Sequence, residues 1–86
     1  MDRPIESTNK INTRQDFVIF VNDLLNDFRK NKKDWENQDL ESFLEALSRY
    51  TGDIHGFYEN TNQDINADNA SWKTFADILM GARVYE

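Results

Sequence analysis

His55 is the only histidine of the chain, and Glu59 stands four residues after it. On a helix that spacing puts both side chains on one face, where such a pair can relay a proton or contribute to a metal site. One histidine cannot make a zinc site, which takes three or four nitrogen or sulfur ligands, and the chain has no cysteine. A boundary histidine with a helical charge partner is the plainer reading. Asp23 and Asp27 repeat the spacing and could act as paired carboxylates, but acid–base catalysis needs a desolvated group in a cleft. The helical pattern around Asp23 predicts that it points to solvent. Asn60, Asn62, Asp64, Asn66 and Asp68 alternate, as the oxygen ligands of a calcium loop do. Here Ile65 stands in place of the turn glycine and Ser71 in place of the bidentate glutamate, so a polar turn-rich loop is the better reading. No specific zinc or calcium binding and no cofactor are expected. With no glycine-rich phosphate loop and no nucleophile setting, the chain does not read as an enzyme.

The remaining polar clusters read as surfaces. Arg29-Lys30-x-Lys32-Lys33 could touch nucleic acid, but four cations at a helix C-terminus also complement its dipole. The charge balance decides. Residues 1–33 hold 7 basic and 5 acidic residues, a net +2, and residues 34–86 hold 3 basic and 11 acidic, a net −8. An acidic surface repels phosphate backbones, so no nucleic-acid partner is expected. Glu41, Glu45 and Glu59 line the polar face of a predicted helix, with Ser48, Gly52 and Gly56 beside them. Acidic side chains around a strip of small residues make a surface that another helix or a basic loop can approach. The plainer reading is a solvated face with Glu45–Arg49 as a helical pair. The function expected is a protein–protein interaction module acting through this acidic helical face, with another, basic protein as partner. A neutraliser of a basic toxin or nuclease is one concrete form. A regulatory or structural helical module without a fixed acidic contact is the alternative.

Three helices must position these groups. Eighty-six residues make one small domain, and 38% hydrophobic residues, rich in aromatics, predict a modest core. No apolar run approaches the roughly 18 residues of a membrane span. The N-terminus lacks an apolar signal core, so a cytoplasmic protein is expected. Residues 1–12 read as a flexible N-terminal arm, with Ile11 docking at the start of the first helix, and residues 13–86 as a single all-α domain. Its helices fall near 14–30, 40–58 and 72–84. Thr13 with Asp16 caps the first, whose apolar residues Phe17, Val18, Phe20, Val21, Leu24, Leu25 and Phe28 span an arc of about 160°. Ile19 lies outside it. Trp35, alone in the following loop, covers one end of the core. Asp39 caps the second helix, which the phase of Ile54, Phe57 and Tyr58 carries through Gly52 and Gly56. Asn69 or Ser71 caps the third, whose apolar arc of about 220°, reaching to Tyr85, is too wide for one neighbour. Arg83 lies inside that arc, and can snorkel, stack on an aromatic ring or pair with an acid of another helix. The short loop after the first helix favours antiparallel packing of the first two. Trp35, Phe43, Leu47, Phe75 and Leu79 are expected to share one core.

Asp34-Trp35-Glu36-Asn37, then Leu40-Glu41-x-Phe43-Leu44-Glu45-Ala46-Leu47 and Tyr58-x-Asn60, then Ser71-Trp72-x-x-Phe75-Ala76-x-Ile78-Leu79-x-x-Ala82-x-x-Tyr85-Glu86, resemble an uncharacterised, mostly bacterial family of small domains of unknown function. The likeness covers about residues 13–86. Trp-Glu-Asn and the Tyr-Glu end are its more specific parts. Gly52 departs from the pattern, where a larger residue is usual. The resemblance implies a compact helical domain and assigns no chemistry.

Overall fold

The computed structural model describes residues 7–86 and shows an all-α, three-helix domain. The helices are α1 (Arg14–Asn31), α2 (Leu40–Asn60) and α3 (Trp72–Ala82), and short 3-10 turns cover Thr8–Lys10 and Lys32–Asp34. Each helix starts where a side chain accepts the free N–H groups of its first turn. Thr13 accepts from Asp16 while Asp16 accepts from Thr13, a reciprocal capping box. Asp39 accepts from Ser42, and Ser71, rather than Asn69, accepts from Thr74.

α2 runs unbroken through Gly52 and Gly56, because Ile54 and Tyr58 bury in phase with Ala46. It ends two residues later than its pattern predicts. Asn62 takes the left-handed conformation, and the Gln63 and Asn62 N–H groups donate back to the Tyr58 and Glu59 carbonyls. Asparagine tolerates that conformation, and the paired bonds close the helix end.

The packing order differs from expectation. α3 lies between α1 and α2 and is the element both pack against. The wide apolar arc of α3 is what demands two neighbours. Phe17 meets Trp72 near the start of α1, and Asp27 meets Arg83 near its end, so α1 and α3 run parallel. Tyr58 meets Asp77 while Tyr50 lies against Gly81, so α2 runs antiparallel to α3. The first two helices thus run antiparallel to one another, but they are held apart by α3. Tyr50 approaches so closely that a Cβ on Gly81 would overlap its ring.

Three further expectations change. Asp23 is 9% exposed, not solvent-facing. The 3-10 turn before α1 folds back, Ile11 buries beside Phe20, and the same pocket reaches Asp23. The buried side of α1 is thereby rotated away from Val18, Val21 and Leu25, which stay exposed. Of the residues expected to share one core, Trp35, Phe43 and Leu79 pack together, Leu47 is half-buried, and Phe75 is 41% exposed. Lastly, α3 stops at Ala82 rather than near residue 84, where the Asn37 side chain takes the Ala82 and Tyr85 carbonyls. Of the expected arm, residues 7–12 carry the docked Ile11, and residues 1–6 lie outside the described residues.

Candidate functional site

The loop between α1 and α2 is fixed by its own side chains. The Trp35 indole N–H donates to Asp27 at 2.8 Å. Asn31 donates to the same carboxylate at 2.9 Å, and Arg83 from the end of α3 at 3.3 Å. Partial burial pushes the Asp27 carboxyl up, but these bonds and the Arg83 charge outweigh it and hold it below the usual range. The Arg83 guanidinium lies 5.7 Å from the Trp35 ring and also donates to the Met80 carbonyl. It therefore both stacks and pairs with an acid of another helix. Two residues on, Asn37 is buried and donates both amide hydrogens, to the Ala82 and Tyr85 carbonyls at 2.9 and 2.8 Å. Its backbone N–H donates to the Arg83 carbonyl. Tyr85 then packs on Tyr50 and donates to Asp53 on α2. The Trp-Glu-Asn and Tyr-Glu segments are one clamp that joins all three helices.

Beside this clamp the surface opens into an apolar groove. Phe28 meets Trp35 edge to face and Trp35 stacks on Phe43, with ring centroids 4.9 and 6.2 Å apart. They form the shared floor of two adjoining depressions. One, of 290 Å³, is walled by Val21, Leu25 and Leu79. The other, of 260 Å³, is walled by Gln38, Asp39 and Leu40. Leu40 is 72% and Leu44 53% exposed, and Val21 and Leu25 are exposed opposite them. Isolated exposed leucines mean little, but a continuous apolar strip along two helices is a docking surface in form. Its walls differ in charge. Arg29, Lys32 and Lys33 end the α1 side, and Asp39, Glu41 and Glu45 begin the α2 side.

The expected acidic face is present in part. Glu41, Glu45, Gly52 and Glu59 are exposed and Gly56 is half-buried, all on the polar side of α2. Nothing lies within 4 Å of where a Cβ would sit on Gly52 or Gly56, so that strip is open. Glu45 pairs with Arg49 at 4.0 Å, and Glu59 with His55 at 2.8 Å, both between exposed side chains. Glu41 and Glu45 lie next to the exposed leucines, whereas Glu59 lies four turns away at the other end of α2. The five residues therefore do not form one site. Among the described residues no three His, Asp or Glu side chains cluster to hold a metal ion.

The polar groups buried between α2 and α3 serve packing. The Tyr58 hydroxyl and the Lys73 ammonium each reach the Asp77 carboxylate at 2.7 Å. Burial, together with that bond, pushes the Tyr58 hydroxyl well up from its ordinary range. Sequence reasoning missed Asn37 and Asp77. Each is a polar residue at an apolar position of the fold, and its partners lie 45 and 19 residues away. The only signal for Asn37 was its place in the Trp-Glu-Asn motif.

No curated protein and no solved structure matches the chain. A family model does match, over residues 13–86, and that range contains the whole clamp and both walls of the groove. The chain belongs to that family, a family of unknown function (DUF7660).

Proposed function

We propose that the domain is a protein–protein interaction module that docks a basic, apolar segment of another chain in the groove between α1 and α2. The observation that carries this is the exposure of Leu40 on the wall of an open apolar groove, with Leu44 exposed one turn further along α2 and Glu41 and Glu45 next to them in the helix. Burying the leucines supplies affinity, at about 25 cal/mol per Å² of apolar surface. The adjacent carboxylates steer a cationic segment and fix its side of approach. The acidic face of α2 is thus read as the rim of an apolar site, with Glu59, Gly52 and Gly56 outside it. A basic toxin or nuclease neutralised by such docking remains one form of the partner. Binding is favoured over catalysis because every buried side-chain nitrogen and oxygen among the described residues already has a hydrogen-bond partner.

A photo-reactive amino acid at Leu44 tests this in cells that express the chain. The control position is Ile19, also apolar and exposed but outside the groove, beside Ile11. The expected result is a cross-linked adduct from position 44 that is lost when Glu41 and Glu45 are both changed to Gln. No adduct from position 44, or equal adducts from both positions, refutes the reading.

A further inference from the structure

The groove's two walls are complementary to each other. On α1 the exposed stripe Val18, Val21, Leu25 follows the alternating three- and four-residue spacing of a helix-packing seam, and ends at Arg29 and Lys32. The Lys32 ammonium sits 4.8 Å over the Phe28 ring, on the groove floor. On α2, Leu40, Leu44 and Leu47 keep the same spacing and are bordered by Glu41 and Glu45. The basic end of α1 and the acidic end of α2 lie at the same end of the domain, joined by the row of Phe28, Trp35 and Phe43 rings.

We propose that a second copy of this chain fills the groove, forming a two-fold dimer whose axis runs parallel to α1 and α2. The proposal rests on the reading of the groove as a docking site and names its occupant. Rotation about that axis sets α1 of one copy on α2 of its partner, at the same height and with both grooves closed. Leu25 then meets the partner's Leu44, Val21 meets the partner's Leu47, and Arg29, one turn beyond Leu25, meets the partner's Leu40 and the partner's Glu41, with Lys32 and the partner's Glu45 at the two ends of that contact. The alternative axis, across the helices, sets each basic end opposite Arg14 and each acidic end opposite Glu59, which brings like charges together. The basic segment the acidic rim calls for is the one the chain itself carries.

Sedimentation equilibrium of the full chain tests this, with Leu25→Glu and Leu44→Lys as variants and helix content checked by circular dichroism. The wild type is expected to sediment as a dimer. Each variant alone is expected to dissociate at least about 100-fold more readily, because it faces an unpaired charge against leucine. An equimolar mixture of the two is expected to regain the dimer, since position 25 of one copy faces position 44 of the other. If either variant loses helix content, Glu41→Lys/Glu45→Lys mixed with Arg29→Glu/Lys32→Glu makes the same test by charge reversal. A wild type monomeric at all concentrations overturns the second copy as occupant. It leaves the docking reading standing if position 44 still cross-links to a different protein, and removes both if it does not. A dimer that both variants leave intact, or that the mixture fails to restore, overturns the arrangement of α1 on α2.

Discussion

Replacing Asn37 tests whether the clamp is the structural reason for the Trp-Glu-Asn motif. Its side-chain amide donates to the Ala82 and Tyr85 carbonyls, and it is 9% exposed, so water cannot readily substitute. Asn37→Ala leaves two carbonyls without donors and should cost about 1–3 kcal/mol. Asn37→Asp has nearly the same shape but turns both donors into acceptors. It aims a charge at two carbonyls and at the negative end of α3, so at pH 7 it should cost at least about 3 kcal/mol. A domain of this length has only about 4–13 kcal/mol in total. With a urea dependence of about 1 kcal/mol per M, Asn37→Ala moves the melting midpoint by about 1–3 M. Trp35 and Trp72 report the transition by fluorescence, since both pack in the core. The order of the variants is the diagnostic. A surface asparagine would give near-zero changes in both, and a purely steric role would make aspartate the milder change. The cost of its charge raises the new carboxyl's pKa above the ordinary aspartate value, so as pH falls it regains a proton and one donor, and Asn37→Asp should close part of its gap to wild type at the same pH. Both variants within 0.5 kcal/mol of wild type would refute the clamp, as would aspartate milder than alanine at pH 7.

Glycine to alanine should have opposite signs along the fold: Gly52→Ala and Gly56→Ala each stabilise by up to about 1 kcal/mol in open space, whereas Gly81→Ala, overlapping the Tyr50 ring, destabilises. Thermal melts that show one sign for all three would contradict the helix contacts. Asp27 has its pKa lowered in the folded state, so its contribution is present above the usual 3.8 and lost as pH falls through the folded value. Acid titration should therefore unfold Asp27→Asn over a narrower span relative to its neutral-pH stability than wild type; identical profiles would exclude Asp27. Tyr58 is raised above 10.0, so its contribution is full below that pH and drains as pH rises beyond it. Tyr58→Phe should be less stable than wild type at pH 7 and should lose less of its stability above pH 10. Calorimetric titration with zinc or calcium should give no stoichiometric heat, and a micromolar site would overturn that expectation.

Local physics was legible in the sequence. The caps at Thr13, Asp39 and Ser71 and the passage of α2 through its glycines follow from side-chain chemistry within one or two turns. The width of the α3 arc also foretold its place between two helices. What the sequence could not show was which edge of each arc would be buried. A helical wheel centres burial on the apolar arc, but Ile11 and α3 together turn the buried side of α1 toward Phe20 and Asp23. The groove is the residue of that rotation. No local pattern distinguishes Leu24, which buries, from Leu25, which does not.

The length of α3 explains why a groove exists at all. At 1.5 Å per residue its 11 residues span roughly 16 Å, against roughly 31 Å for the 21 residues of α2. The Tyr58–Asp77 and Tyr50–Gly81 contacts place α3 along the C-terminal part of α2. Leu40, Leu44 and the facing end of α1 are left with no third helix above them. Another turn of α3 would carry it toward them, and the sequence Arg83-Val84-Tyr85 contains nothing that forbids a helix. What ends α3 is tertiary: Asn37 takes the Ala82 and Tyr85 carbonyls, and Tyr85 turns aside onto Tyr50 and Asp53. The same asparagine that locks the three helices together therefore also sets where the third one stops, and so holds open the apolar face beside it.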